Sequence, residues 1–365
     1  MSKKENVKKN TEPLIHITKR ATISAGHAIL IRAIAVISSF IIMSLLMFLL
    51  TKENPFKLIK SMFEGAFGTP LRTWILFSET AILLGIALAL TPAFKMKFWN
   101  CGGEGQVMVG SLVAAMTMFF IGSSLPFPLL IAVTAMFSIL AGGIWGLLPA
   151  FFKAKWNVNE TLFTLMMNYI AIQFVTYFLK MFGNAQGNLD PMLQFSIPKI
   201  FNGPYFLNIL LILMICAVMY VYLRYSKQGY EISVVGESDR TAKYVGINVS
   251  KGIIRTMIIS GALCGLIGFL LVANGSCSVT TTIAGGRGFT AILVSWLGKF
   301  NPIYMILTAF LVVFLQRGTG FTGEIYRLDT SMADIFIGAV LLFIIGCEFF
   351  INYKINFRKN NKEGK

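Results

Sequence analysis

The stretch that decides the fold runs from Trp74 to Phe94 and reads WILFSETAILLGIALALTPAF. Its one charged residue is Glu79. An α-helix rises about 1.5 Å per residue, so about 20 residues cross a bilayer core of about 30 Å. The stretch is long and apolar enough to predict a membrane-spanning helix.

Runs of the same character recur along most of the chain. Only 13% of the 365 residues are charged and 56% are hydrophobic, which leaves too few polar residues to cover a water-facing surface. Counting each run once predicts an all-α integral membrane protein, a polytopic helical bundle of about ten transmembrane segments, some short or broken by glycine. Long runs begin near residues 29, 74, 125, 162, 205, 253 and 332, and shorter ones cover 105–121, 289–297 and 303–315.

The basic residues indicate the orientation of the chain in a cell membrane. The net charge is +16, and Lys and Arg concentrate in the tails 1–28 and 353–365 and in the connection 226–252. Cytoplasmic loops carry an excess of Lys and Arg, so we expect a multi-pass permease domain over 29–352 with both termini and 226–252 in the cytoplasm. The expected surroundings are membrane lipid. No basic segment is interleaved with aromatic residues in a readable module, which argues against nucleic acid as a partner.

Patterns for catalysis, metal binding and nucleotide binding do not occur in the sequence. Both His lie in the N-terminal tail, and the five Cys form no CxxC pair or Cys/His cluster. The glycine-rich stretches lack the Lys and Ser/Thr that follow the last glycine of a phosphate-binding loop. We therefore predict a chain that is not an enzyme and that binds no metal or cofactor of its own.

A polar stripe on one predicted helix is the first candidate for a functional surface. Glu160, Thr164 and Asn168 follow one another at spacings of four, which places them on one face. Polar groups inside a membrane helix face the bundle interior or a water-filled path. Two interpretations stay open: a hydrogen-bonded seam between helices, worth about 0.6 kcal/mol per bond, or the wall of a substrate pathway.

The stretch NCGGEGQ, residues 100–106, joins two apolar runs and breaks the helical pattern. Each glycine costs about 1 kcal/mol in a helix relative to Ala, and broken backbone at membrane depth is tolerated only where protein buries it or a cavity adjoins it. We interpret this stretch as a structural pivot near the pathway; a tight cytoplasmic turn whose glycines merely permit close helix packing is the alternative. The candidate pathway residues here are Asn100, Glu104 and Gln106, and the candidate gating glycines are Gly102, Gly103 and Gly105.

The connection 226–252 predicts a short capped helix. Ser238 can cap its start, Asp239 suits its positive end, and Gly246 can end it in the left-handed conformation. Such a helix is either a docking element for a partner protein or an ordinary surface helix packed on its own bundle. The small apolar face that it would present consists of Ala242, Val245 and Ile247.

Four motifs then occur in a fixed order along the chain. They are NCGGEGQ at 100–106, NVNET at 157–161 with MNY at 167–169, VGE at 235–237 with AKYVGI at 242–247, and GRGF at 286–289 with Asn301-Pro302. In this combination the chain resembles the permease family of ABC importers from about Trp74 to Cys347, and most closely its nucleoside and simple-sugar branch. The family usually has Phe-Asn-Ile where this chain has Trp99, Asn100 and Cys101.

The resemblance implies a machine with several other chains. A cytoplasmic ABC ATPase would bind ATP and Mg, a second homologous permease would complete a heterodimer, and an extracytoplasmic binding lipoprotein would capture the solute. The broken helices around Gly102–Gly105 and Gly285–Gly288 would be the places where the bundle bends, which adds Gly285, Gly286 and Gly288 to the candidate gating glycines. The segment 235–247 would contain the coupling helix that contacts the ATPase. The coupling residues implied are Gly236, Glu237, Ser238, Asp239, Ala242, Tyr244, Gly246 and Ile247.

The function predicted on this basis is import of nucleosides across the cytoplasmic membrane, with simple sugars and then branched-chain amino acids as alternative substrates. A secondary transporter is the first rival, and its coupling carboxylate would be Glu79 or Asp334. A channel or membrane scaffold is the second rival. Dependence of uptake on ATP or on a proton gradient separates these classes.

Overall fold

A computed structural model of the chain describes residues 15–19, 24–52, 54–184, 189–190, 192–197, 203, 205–327 and 353–357, with separate positions between 335 and 351. Two compact units are present: Met62–Gly318, and Met1–Ser61 together with Thr319–Lys365. Asp334, much of the predicted run near residue 332 and much of both tails lie outside the described residues. The predicted domain bounds stay predictions.

Long apolar helices make up most of the described chain. Seven of the described helices, which begin at residues 70, 103, 127, 160, 206, 249 and 302, are long and apolar enough to cross a membrane. The predicted fold class, an all-α polytopic bundle, is confirmed. In chain order the α-helices are α1 (Ala25–Thr51), α2 (Pro55–Phe67), α3 (Pro70–Lys95), α4 (Gly103–Ile121), α5 (Phe127–Trp156), α6 (Glu160–Phe182), α7 (Phe206–Tyr225), α8 (Lys227–Glu237), α9 (Asp239–Tyr244), α10 (Val249–Leu271), α11 (Arg287–Leu297) and α12 (Pro302–Ile325).

The short predicted runs have different outcomes. The short apolar runs 289–297 and 303–315 predict two half-length helices on either side of a turn at 298–302, and only the first of the two helices is that short. Helix α11 has 11 residues and rises roughly 16 Å, about half of a bilayer core. Helix α12 has 24 residues, because it continues through Gln316 and Arg317, where the apolar run ends. The half-length prediction for the second helix was therefore wrong.

Close backbone contact between α5 and α10 fixes the centre of the larger unit. A Cβ added to Gly261 would lie 2.2 Å from the carbonyl oxygen of Gly142, and one added to Gly265 would lie 2.1 Å from that of Ser138. Small residues let membrane helices approach until their backbones touch. Helix α10 also packs against α3 and α4, so it lies at the centre of this unit.

In the other unit, a two-stranded antiparallel sheet joins the two ends of the described chain. Strand β1 (Ile15–Lys19) pairs with β2 (Tyr353–Phe357), so that Ile15 lies opposite Phe357 and Lys19 opposite Tyr353. Ala35 of α1 packs with Cys347 and Ile351 in a small buried cluster. Residues 15–19 and 353–357 therefore lie side by side.

Candidate functional site

The loop between α3 and α4, residues 96–102, folds back into the bundle. Its Asn100 is fully buried and donates from Nδ2 to the Oγ of Ser260 in α10 over 3.1 Å. Ser260 lies roughly 16 Å along α10 from Val249, at about 1.5 Å per residue. The glycine-rich backbone is thus enclosed by protein, the setting in which broken backbone inside a membrane protein is tolerated.

Two polar residues of α6 hold this loop. The Asn168 side chain accepts from the Gly105 amide at 2.8 Å and donates to the Cys101 carbonyl at 2.9 Å. Thr164 Oγ1 accepts from the Cys101 amide at 3.2 Å. Both side chains are buried, so the stripe forms a hydrogen-bonded seam at these positions. Their predicted place in a substrate pathway stays a prediction.

Glu160 and Gln106, two further candidate pathway residues next to the loop, also have side-chain partners. Glu160 forms an ion pair of 2.9 Å with Lys153 at the end of α5. Gln106 is buried, and its side-chain oxygen lies 3.5 Å from Asn100 Nδ2. Burial, and to a smaller extent the Glu160 carboxylate, raise the pKa of the Cys101 thiol. That thiol therefore stays protonated at neutral pH.

Glu104 joins the two glycine-rich motifs. Its carboxylate accepts hydrogen bonds from the amides of Gly286 at 2.8 Å and Gly288 at 2.7 Å. The backbone of Gly288 lies so close that an added Cβ would be 2.3 Å from the Glu104 nitrogen, and Gly286 has a φ of 73°. Because Glu104 lies in the first turn of α4 and the two amides begin α11, one negative charge faces the positive ends of two helices.

A second charged cluster lies next to this junction. Glu79 of α3 accepts from both Nε and Nη2 of Arg317 on α12. Arg287, which lies between Gly286 and Gly288, donates to the same carboxylate at 3.3 Å. One carboxylate thus binds two guanidinium groups from different helices. With one negative and two positive side chains, this cluster has a net charge of +1.

These three charged residues line a pocket of about 300 Å³. Asn208 of α7 and Asn274 also line it, and Asn274 lies in a π-helical turn, Val272–Ser276, that follows α10. Among the residues that the structure describes, Asn208 Oδ1 and Asn274 Nδ2 are buried atoms with no hydrogen-bond partner. The rest of the lining is Ile75, Ser78, Ile82, Tyr205, Leu270, Leu271 and Ile283.

The sequence analysis missed Asn208 and Asn274. Asn208 could have been recognised, because it is a polar residue inside the apolar run of α7. A polar group within an apolar run was also the reason to single out Glu79. Asn274 lies where the apolar run ends, and nothing in the sequence shows that a π-helical turn directs it inward. Such turns occur often at functional sites.

Helices α8 and α9 form a cap on the end of the bundle where α3 ends and α10 begins. Ser238 lies between them, and its Oγ accepts from the Thr241 amide at 3.3 Å, as the capping pattern predicted. Ala242 is fully buried in a cluster that includes Met96 and Phe98. A Cβ added to Gly236 would lie 2.1 Å from the Lys95 carbonyl oxygen. The cap is thus tightly packed on the end of α3.

The predicted apolar face of α9 is divided between the interior and the surface. Ala242 and Ile247 contact the bundle, whereas Val245 is 56% exposed and Tyr244 is 92% exposed. Gly246 has a φ of 82°, the left-handed conformation expected at the end of this helix. Glu237 and Asp239 are also exposed. The outward surface of the cap therefore carries Tyr244 and Val245, surrounded by exposed charges of both signs, since Arg240 and Lys243 are exposed as well.

A bundle of long apolar helices, with a broken, hydrogen-bonded loop inside it and a helical cap at one end, defines a multi-pass membrane permease. Residues 73–345 match the model of a protein family described as branched-chain amino acid transport system / permease component, and the chain belongs to that family. It is the permease component of an ABC transporter, a transmembrane subunit without catalytic activity of its own. Membership implies ATPase and binding-protein partners.

Characterised relatives are similar over most of their length. The chain is 28% identical to the glucose ABC transporter permease protein TsgB13 of Haloferax volcanii over 75% of each chain. It is 28% identical to the guanosine ABC transporter permease protein NupP of Bacillus subtilis, over 72% of this chain and 77% of the relative. The nucleoside ABC transporter permease protein NupB of Lactococcus lactis is 26% identical over 87% of this chain and 90% of its own. No solved structure matches the chain.

Proposed function

We propose that this chain is the permease subunit of an ABC importer that carries nucleosides into the cell. The relatives NupP and NupB, named for guanosine and nucleosides, support nucleosides as the substrate class. Import of a simple sugar is the second candidate, because the glucose permease TsgB13 is equally similar. A separate ATPase binds ATP and Mg and supplies the energy.

The observation that carries this proposal is the exposed tip of α9. A tyrosine that is 92% exposed stands beside Val245 on a helix whose inner side is buried in the bundle. Aromatic residues anchored on a rigid base are typical of protein interfaces. We assign this tip to the ATPase, with Gly236, Glu237, Ser238, Asp239 and Gly246 shaping and positioning it.

The packing also suggests how movement of the ATPase reaches the interior. A shift of the α8–α9 cap moves Gly236 of α8 against the Lys95 carbonyl at the end of α3, and α3 leads directly into the loop 96–102. That loop continues into Glu104, which holds the start of α11. In this mechanism the bundle bends at the six candidate gating glycines, and Asn168 and Thr164 keep the loop and α6 together during the movement.

The topology of the proposed importer follows from the same elements. The α8–α9 cap lies in the cytoplasm with its ATPase. The basic residues of both tails favour the cytoplasm for the termini as well, and the pairing of β1 with β2 supports a common side for the two termini. A second, different permease chain completes the membrane part. A binding lipoprotein delivers the nucleoside from outside.

The test is solute uptake by native membrane vesicles that contain the tagged chain and the proteins that co-purify with it. We expect [3H]guanosine uptake to stop when ATP is depleted and to continue when a protonophore collapses the proton gradient. Uptake that stops with the protonophore alone would identify a secondary transporter instead. Competition by unlabelled guanosine, glucose or leucine ranks the three substrate classes.

A further inference from the structure

We infer that the pocket between α3, α7, the π-helical turn and α12 is a binding site in the permease for a neutral solute rich in hydrogen-bonding groups, such as a nucleoside. This inference rests on the proposed function and adds the location and chemistry of the site. The polar residues that form it are Glu79, Asn208, Asn274, Arg287 and Arg317.

The first support is a pair of amide groups that the described protein leaves without partners. Asn208 Oδ1 is a buried acceptor and Asn274 Nδ2 is a buried donor, and both residues line the pocket. Asn208 is only 3% exposed. Buried polar groups in proteins are almost always hydrogen-bonded, and those that are not need an explanation. A solute that offers one donor and one acceptor satisfies both amides.

The second support is the charge distribution in the pocket. The Glu79 carboxylate already accepts three hydrogen bonds from Arg317 and Arg287, and the two guanidinium groups leave the cluster with a net charge of +1. An amino acid zwitterion would have to place its ammonium group beside this net positive charge. A neutral solute can instead accept hydrogen bonds from the guanidinium N–H groups that do not face Glu79.

The third support is the shape and lining of the pocket. Its volume of about 300 Å³ lies at the lower end of the range for small-molecule sites. Ile82, Leu270 and Ile283 contribute apolar surface to its lining, beside the charged cluster and the two amides. A flat base can pack on this apolar surface while its edge and its sugar hydroxyls reach the amides, an arrangement common in ligand sites.

The position of the pocket connects binding to movement. Arg287 lies between the two glycines whose amides bind Glu104, so a solute that contacts Arg287 touches the start of α11. The opposite end of the same junction leads through the loop 96–102 to the α8–α9 cap. Occupancy of the pocket and the state of the ATPase can therefore influence each other through one helix terminus.

The test compares Asn208→Leu with Thr134→Val in the complex reconstituted into liposomes with its partner proteins. Thr134 is also a buried polar residue without a partner for its Oγ1 in the described chain, but it lies in α5 and does not line the pocket. We expect Asn208→Leu to raise the KM for [3H]guanosine uptake about three- to tenfold, the loss of one neutral hydrogen bond. Thr134→Val should leave KM unchanged.

Thermal unfolding of the same variants excludes a merely structural explanation. Since Asn208 Oδ1 has no partner among the described residues, Asn208→Leu should keep or raise the unfolding temperature while KM rises. ATP-dependent uptake by the wild-type complex with an unchanged KM in Asn208→Leu would overturn the pocket and leave the proposed function intact.

Photolabelling decides the question even where uptake fails. We expect 8-azidoadenosine, irradiated on the detergent-solubilised complex, to label peptides from α7 and from the end of α10. Excess guanosine and Asn208→Leu should both reduce that labelling. Labelling confined to other helices, or labelling that is unchanged in Asn208→Leu, would overturn the inference. Wild-type uptake that does not require ATP would count against the proposed function alone.

Discussion

The carboxylate of Glu104 accepts a hydrogen bond of 2.7 Å from the amide of Gly288, a residue 184 positions later in the chain. Its other oxygen accepts from Gly286 at 2.8 Å. One acidic side chain thus closes the first turn of α4 onto the start of α11. Because a carboxylate is favoured at a helix N-terminus by both the free amides and the dipole, this contact is the strongest single link between the two glycine-rich motifs.

Replacing Glu104 measures how much that link contributes. Glu104→Ala removes both acceptors and leaves two amides without them, so we expect a loss of about 2 kcal/mol, given that hydrogen bonds to charged groups contribute about 1.5–3 kcal/mol and the side chain is only half-buried. Glu104→Gln keeps one oxygen acceptor and should lose about half as much. Thermal unfolding in detergent and guanosine uptake check both variants. Wild-type stability in Glu104→Ala would contradict the role of this link.

Gly288→Ala tests the close approach of the two backbones. The new Cβ would lie 2.3 Å from the Glu104 nitrogen, so α11 must move away from α4. We expect a loss of at least about 2 kcal/mol, comparable with overpacking of a core, together with a marked loss of uptake.

Gly252→Ala is the matched control for this prediction. Gly252 lies inside α10, and an added Cβ meets nothing within 4 Å. Since Ala is the better helix former, this variant should gain up to about 1 kcal/mol and transport normally. If Gly288→Ala and Gly252→Ala were equally stable and equally active, the close contact at Gly288 would relax without any loss of stability.

The individual members of this junction could be predicted from the sequence, but their pairing could not. Helix-breaking glycines and an acidic residue in an apolar setting are visible in a single sequence, and they selected residues 100–106 and 285–289. Which of these groups meet depends on how α3, α4 and α11 pack, and no local pattern encodes a contact across 184 positions. Thr164 and Asn168 show the same limit, because their spacing predicts a shared face but not what that face contacts.

Glu79→Gln separates the proposed importer from a proton-coupled transporter. The carboxylate binds Arg287 and Arg317 in the structure, which gives it a positioning role in the pocket. We expect Glu79→Gln to lower guanosine uptake several-fold, because an amide accepts fewer and weaker hydrogen bonds from guanidinium groups. The remaining uptake should still require ATP and resist a protonophore. If wild-type uptake depended on a proton gradient and the residual uptake of the variant did not, the secondary transporter would be favoured.

Tyr244→Ala should detach the ATPase without disturbing the permease. The side chain is 92% exposed, so its removal costs the isolated chain little, whereas interface tyrosines often contribute about 2 kcal/mol or more to binding. We expect recovery of the ATPase with the tagged chain to fall more than tenfold, with an unchanged unfolding temperature. Tyr177→Ala on α6, where the tyrosine is 64% exposed, is the control and should retain the ATPase. Normal recovery with Tyr244→Ala would mean that the coupling surface lies elsewhere.

Two glycines on the facing sides of α5 and α10 allow a final test of the central packing. In Gly261→Ala the new Cβ would lie 2.2 Å from the Gly142 carbonyl oxygen, so the helices must separate along the line where their backbones touch. Gly143 is next to Gly142 on α5, but a Cβ added there would have its nearest neighbour at 3.6 Å, an ordinary contact. We therefore expect Gly261→Ala to lower stability by about 1–3 kcal/mol, and Gly143→Ala to be neutral or stabilising. Thermal unfolding of the two variants in detergent compares them directly, and a Gly143→Ala variant as unstable as Gly261→Ala would contradict the close approach of α5 and α10 as the basis of the central packing.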